Sequence, residues 1–413
     1  MSENAPTIDP ARLRALLDGV NRFGFNPETG GYNRIGFCDA DTAVRAWFAE
    51  RMRADGLAVH RDAVGNVIGR FGPAEGPCVM AGSHLDTVPE GGAFDGALGV
   101  CVALECVRAL RDAGIAPQLA VEVVATAEEE GRFGGMLGSQ AIAGIVDSAW
   151  FHAATDSDGV RLTDAMAEQG LEPERYGEAA RTPDQVRAFI ELHVEQGPLL
   201  EGAGTPVGIA TAVSGVCNLE ITLDGQANHS GTTPMAMRAD AFAGLAEAAA
   251  AIEEIIAARG TAQSRVTIGK VALSPNFAHT IAGRAVFSVI VRDTDESVMC
   301  ALRDSLLDRI HRAAGRHRLT VAVQQKSWIA PIALDPGLQD LLAEEGARLG
   351  IETLRMPSGA GHDAQTMQAL CPSALVFVPS RGGISHAPAE WTDWADIEKG
   401  ARIMLAALTR LTR

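Results

Sequence analysis

Residues 82–96 read Gly-Ser-His-Leu-Asp-Thr-Val-Pro-Glu-Gly-Gly-Ala-Phe-Asp-Gly. The preceding Cys78, Val79, Met80 and Ala81 form a short apolar run suited to a buried strand, and residues 97–110 are an apolar segment of helical length. His84 therefore leaves a strand and Asp95 enters a helix, which lets the two meet at the sheet edge where α/β folds place ligands. Asp86, two positions after His84, is placed to support that imidazole from behind, as carboxylates beside metal-bound histidines do.

Outward from this stretch, strands alternate with helices. Residues 64–71, 77–83, 118–127 and 186–194 are predicted strands, and 11–21 and 41–56 are predicted helices. Residues 131–145 read as a glycine-punctuated loop followed by a short helix. This alternation predicts an α/β domain whose mostly parallel sheet is covered on both faces. The pattern changes near Val213: 216–223, 266–273, 285–291 and 319–325 read as strands, and 234–259 and 296–315 as helices. That β-α-β-β-α-β order is ferredoxin-like. After Pro331 the first pattern returns. The expected division is a catalytic domain made from 1–212 and 329–413, interrupted by an inserted α+β domain over 213–328.

A chain of 413 residues is too long for one ordinary core, and with 47% hydrophobic and 21% charged residues it can bury a large interior. No apolar run has membrane-spanning length. The first six residues lack the basic patch and apolar core of a secretory signal, so a cytoplasmic location is expected. Seven scattered cysteines without a CxxC spacing predict neither a zinc knot nor a disulfide framework. A net charge of −17 argues against nucleic acid or an anionic membrane as partner, while a single arginine can still hold a small anionic substrate.

Five residues of metal-binding type, His84, Asp95, Glu130, His193 and His386, fall at predicted strand ends or in the loops just beyond them. Two imidazoles and a shared carboxylate suit one zinc-type ion, and a further carboxylate and imidazole complete a second. Glu129 is then free to take a proton from water. Read alone, Glu128-Glu129-Glu130 is a solvated acidic turn.

The runs GSHLDTVPEGGAFDG (82–96), EEEGRFGGMLGS (128–139), HVEQGP (193–198), NHSGTTPM (228–235), PSGAGHDA (357–364) and GISH (383–386) occur in that order along nearly the whole chain. Together they resemble the dinuclear-metal amidohydrolases that include N-carbamoyl-L-amino-acid hydrolase, β-ureidopropionase and allantoate amidohydrolase. The resemblance implies a zinc-peptidase-like mixed sheet flanked by helices, with a ferredoxin-like insertion serving as lid and as homodimer contact. It implies two divalent ions per subunit, zinc first, with manganese, cobalt or nickel as alternatives. His84 and His193 would hold one ion, Glu130 and His386 the other, Asp95 would bridge them, and Glu129 would be the general base.

By the same resemblance, Gln196 contacts the substrate, His229 reaches into the neighbouring subunit's site to polarise the scissile carbonyl, and Arg292 clamps a substrate carboxylate. Gly359 and Ala360 would line the substrate. His362 and Asp363 would either bind it or shape their glycine-rich loop. The implied reaction converts an N-carbamoyl L-amino acid to the amino acid, carbon dioxide and ammonia. Allantoate or a β-ureido acid is the alternative substrate, and an aminoacylase or peptidase on the same scaffold is the further one. The chain departs from the family pattern where His279 replaces a substrate-binding asparagine, with Asn276 as a stand-in, where Ala387 replaces the asparagine after His386, and where one residue is missing at Gly131-Arg132.

Overall fold

A computed structural model describes residues 5–413, which divide into two compact units: the chain up to Thr211 together with Leu334–Arg413, and Ala212–Ala333. The first unit is α/β. Its strands lie in the order Ala58–Arg61, Val67–Phe71, Ala120–Thr126, Cys78–His84, Val186–Val194, Ser373–Val378, Val207–Val213, and Thr353–Ser358 pairs with the last of these. The four central strands, from Ala120–Thr126 to Ser373–Val378, are mutually parallel, and the flanking ones run antiparallel.

Parallel strands are covered on both faces and so read as continuous apolar runs rather than alternating ones. Cys78–His84 and Ala120–Thr126 are accordingly buried at every position. The helix Ala97–Asp112 is buried on all sides from Ala97 to Leu110, as an unbroken apolar helix must be. Gly99 lets it lie close on the sheet, since a Cβ there would stand 2.3 Å from the Leu192 carbonyl oxygen. Because the central strands are parallel, their carboxyl ends share one edge. His84 lies opposite Thr126 and His193 opposite Phe377 in the ladders, so both imidazoles and the acidic run after Thr126 emerge together.

The second unit is an antiparallel sheet ordered Thr320–Ile329, Val216–Asp224, Arg284–Arg292, with Arg265–Thr267 and Val271–Ser274 both pairing to the last. This is the ferredoxin-like strand order with its second strand broken in two. Cys217, Leu219, Ile221 and Leu223 alternate inward with Ala285, Phe287, Val289 and Val291 beneath the helices Ala241–Ala250, Ile252–Arg259 and Glu296–His317. The helix expected over 234–259 begins later, because the Asp240 carboxylate accepts from the Phe242 and Ala243 amides and caps it there. Met235–Met237 forms only a 3-10 turn. Ile332–Ala333 pairs antiparallel with Ala212–Val213 where the chain enters and leaves the unit. Among the described residues no helix is long and apolar enough to cross a membrane.

Candidate metal centre

At the shared strand edge, one carboxylate faces two groups of donors. Asp95 Oδ1 lies 3.0 Å from His193 Nε2 and 3.4 Å from His84 Nε2, while Oδ2 lies 3.3 Å from His386 Nε2. Glu130 Oε2 is 3.5 Å from the same His386 nitrogen, and Glu129 Oε2 is 3.5 Å from His84 Nε2. Asp95 is reached through Gly96, whose φ of +62° and contact with the His84 ring, 2.4 Å from an added Cβ, leave room for no other residue. His386 and Gln196 hold positive φ values of 54° and 59°, a backbone cost that structures tend to retain where a side chain must be aimed.

The tautomers of two histidines follow from their outer partners. His84 Nδ1 lies 3.0 Å from the Asp86 carbonyl oxygen and His193 Nδ1 2.9 Å from the Val194 carbonyl oxygen. A carbonyl only accepts, so each Nδ1 carries a proton and each Nε2 is the atom left to bind a cation once the ring is neutral. Asp86 therefore supports His84 through its main-chain carbonyl, and the carboxylate contact expected from the sequence is the longer one at 4.0 Å. The Asp86 side chain instead accepts from the Glu130 amide at 3.0 Å.

Three carboxylates, Asp95, Glu129 and Glu130, thus crowd the Nε2 atoms of His84 and His386 within 3.5 Å. The donor atoms of His84, Asp95 and His193 lie within 4.8 Å of one another, as do those of Asp95, Glu130 and His386. Two unit charges of like sign ~4 Å apart repel by ~4 kcal/mol at an effective dielectric near 20. Only protons or cations relieve such a cluster, and two imidazoles with a shared carboxylate, beside a carboxylate and an imidazole, are the nitrogen and oxygen donors that zinc-type ions take. The residues fit a pair of divalent ions.

The acidic run is not the solvated turn it resembles. Glu128 is fully buried, with φ +55°, and its carboxylate accepts from the Phe133 and Gly135 amides at 2.7 and 3.3 Å. It shapes the loop that follows, and burial pushes its carboxyl up to about 8. Glu129 is also buried, and desolvation, opposed by His84 and reinforced by the neighbouring carboxylates, holds its carboxyl well above the usual range. Burial and Asp95 raise Glu130 to about 7.

Residues 80–410 match Peptidase family M20/M25/M40. The chain is 35% identical to N-carbamoyl-L-amino acid amidohydrolase of Geobacillus stearothermophilus, over 98% of this chain and 99% of that one. It is 34% identical to allantoate amidohydrolase of Bacillus subtilis, over 96% of each. The structure of a hydantoinase/carbamoylase family amidase from Burkholderia multivorans superposes with a TM-score of 0.91 at 33% identity, covering 99% of both chains. The chain belongs to peptidase family M20/M25/M40.

Within this M20/M25/M40 fold the other expected site residues divide between the two units. Gln196 sits in the first, donating from its amide nitrogen to Asp95 Oδ2 at 2.8 Å, while its buried Oε1 has no hydrogen-bond partner. Gly359 and Ala360 lie in a loop closed by Ser358, whose hydroxyl meets the Ala360 carbonyl oxygen and amide at 2.8 and 3.1 Å and His362 Nε2 at 3.0 Å. His362 is buried edge-on to the His193 ring, 4.6 Å between centroids, and burial followed by the neighbouring His193 holds it well below the ordinary imidazole range. Asp363 is buried and accepts from the Thr126 hydroxyl at 2.5 Å. His362 thus ties the loop through Ser358, and Asp363 ties the start of the next helix to the end of the strand Ala120–Thr126.

In the second unit, His229 bridges to Thr280, and the Ser230 amide donates to the His279 carbonyl oxygen at 3.0 Å, which sets His229 beside His279. Asn276 lies just before, exposed, with φ +51°. His229 Nδ1 accepts from the Gly231 and Thr232 amides at 3.0 and 3.2 Å, so its proton is on Nε2. Arg292 ends the strand Arg284–Arg292, on the order of 25 Å along it from the end nearer His229 and His279, at ~3.3 Å per residue. Its half-burial lowers the guanidinium's pKa. Asp293, the next residue, accepts from the Thr261 and Ser264 hydroxyls at 2.8 and 2.5 Å.

One residue that no motif indicated holds the Asp95 turn. Buried Glu390 accepts from the Phe94 and Asp95 amides at 2.9 and 3.0 Å and from the Ser385 hydroxyl at 2.7 Å. It ties the turn before the central helix to the loop carrying His386. The signal available in the sequence was its place four residues after His386, on a loop already singled out.

Protons and cations compete for this centre, and the direction is fixed by the groups themselves. The hydrogen bond to Asp95 and the charge of Glu130 push His386 up to about 9, so in the ion-free chain a proton competes for its ring at neutral pH. A proton must leave before that nitrogen can bind a cation. Apparent affinity for Zn²⁺ should therefore rise from pH 6.5 toward pH 9 on this account, with proton release on loading. Calorimetry in buffers of different ionisation enthalpy measures both; pH-independent binding without proton release would contradict it.

Proposed function

We propose that this chain hydrolyses the ureido C–N bond of N-carbamoyl L-amino acids, yielding the amino acid, carbon dioxide and ammonia. The observation that carries the reading is Asp95, which turns one oxygen to His84 and His193 and the other to His386 beside Glu130, in a chain homologous along its whole length to a carbamoylase. The metal dependence of the family and these donors support two divalent ions, with zinc the first choice. Such ions, when bound, polarise a carbonyl and lower the pKa of water.

Each of the chain's own groups has a part. Glu129, buried beside His84, takes a proton from the attacking water and returns it to the leaving nitrogen. The unpaired Gln196 Oε1 is an acceptor for a ureido N–H. Arg292 binds the substrate carboxylate as a fork of donors. His229, its Nδ1 occupied by loop amides, offers Nε2–H to the scissile carbonyl without needing a positive charge.

Placing His229 and Arg292 at opposite ends of one sheet supports the homodimer. One copy of the insertion cannot easily bring both to a single carbonyl and carboxylate, whereas two copies can, each supplying one of them.

Allantoate is the second reading, favoured by 34% identity to an allantoate amidohydrolase, which the 35% to a carbamoylase does not outweigh. A coupled ammonia assay on Zn²⁺- and Mn²⁺-reconstituted protein decides between them, using N-carbamoyl amino acids, allantoate, N-acetyl amino acids and dipeptides. Ammonia release highest with an N-carbamoyl L-amino acid is expected. Turnover confined to N-acetyl or dipeptide substrates would contradict the proposal, and preference for allantoate would replace the first substrate with the second.

A further inference from the structure

Behind the metal ligands runs a line of buried polar groups that do not face the reacting edge. The helix Asp39–Ala54 turns Asp41 and Arg45, one helical turn apart, into the interior, where they are 1% and 6% exposed. The Arg45 guanidinium divides its donors among three acceptors in different elements. Nε donates to Asp41 Oδ1 at 2.7 Å, Nη1 to the Ala125 carbonyl oxygen at 3.1 Å, and Nη2 to Asp86 Oδ1 at 3.3 Å. Asp41 is held in turn by the Phe37 amide, which donates to its other oxygen at 3.0 Å.

Asp86 is where this line meets the site. Its Oδ2 accepts from the Glu130 amide at 3.0 Å, and its carbonyl oxygen accepts from His84 Nδ1 at 3.0 Å. One residue thus touches a donor of each metal position, His84 on one side and Glu130 on the other, and its carboxylate is held by Arg45. The Ala125 carbonyl gripped by the same guanidinium lies in the strand that leads into Glu129 and Glu130.

We infer that Arg45 is a positioning residue for both metal positions, fixing through Asp86 and Ala125 the aim of His84 and the path of the chain at Glu129 and Glu130. The inference rests on reading His84 and Glu130 as metal ligands. A planar fork is needed for it: a lysine carries the charge but cannot hold three acceptors in fixed directions. Groups that orient metal ligands in this way typically contribute 10–100-fold in metal affinity.

The test uses the full chain stripped of metal and titrated with Zn²⁺ against a chromophoric chelator, with folding checked by circular dichroism and thermal melting. Arg45→Met is expected to remain folded and to bind both equivalents about 10–100-fold more weakly, and Arg45→Lys to recover only part of that loss. Wild-type Zn²⁺ affinity in folded Arg45→Met, with only a lower melting temperature, would make Arg45 a structural residue and overturn the inference. If Arg45→Met does not fold, Arg45→Lys decides: weakened binding of both ions supports the inference, and wild-type binding overturns it. Asp95→Asn, run in parallel, separates the two levels. Loss of Zn²⁺ in Asp95→Asn but not in the Arg45 variants sinks this inference alone, whereas wild-type binding in Asp95→Asn removes the ligand reading and the inference with it.

Discussion

Glu129→Gln is expected to lower kcat by on the order of 10²–10⁴-fold while leaving the metal content unchanged, the range a positioned general base contributes. Glutamine keeps the volume and one acceptor oxygen of the buried side chain but cannot accept a proton from water. Glu129 touches only the His84 edge of the centre, 3.5 Å from Nε2, whereas Asp95 faces all three histidines. Metal binding should therefore survive. The loss corresponds to ~3–5 kcal/mol of barrier, too large for a local change in packing at an isosteric substitution. Steady-state kinetics with metal analysis of the same sample is the measurement. Activity within a few-fold of wild type at full metal content would remove Glu129 from its role.

Asp95→Asn is expected to do what Glu129→Gln does not, and release both ions. The substitution preserves shape and removes one negative charge from the point where the two donor groups meet. A unit charge ~4 Å away is worth ~4 kcal/mol at an effective dielectric near 20, and each ~1.4 kcal/mol is tenfold in binding. Metal affinity should fall on the order of 10³-fold at each position, and activity with it at ordinary metal concentrations. The Asp95 turn is held from outside by Glu390 through the Phe94 and Asp95 amides, so the fold should persist. Loss of only one ion would mean that Asp95 serves one position and does not join two.

Much of this centre could be read before the fold was known, because its chemistry sits next to strand ends that are themselves obvious. The run from Cys78 to His84 is apolar up to its last residues, and Val186–Val194 delivers His193 in the same way. The burial of Glu128, Glu129 and Glu130 could not be read, since a charge run looks the same whether it faces water or a cation. The tautomers were equally hidden. Those of His84 and His193 depend on carbonyls of Asp86 and Val194, and every residue has a carbonyl. Arg45 and Glu390 act on the site from far away in sequence and carry no characteristic spacing. In the inserted unit the strand order was legible from alternation, whereas the helix start at Asp240 turned on a single cap that competed with a long alanine-rich run.

All of this depends on Asp95 joining two cation positions. Anomalous diffraction from crystals of the Zn²⁺-loaded protein at the zinc edge tests it most directly. The account predicts two peaks on either side of the Asp95 carboxylate, one beside His84 and His193 and the other beside Glu130 and His386. A single peak, or two peaks that do not share Asp95, would contradict it.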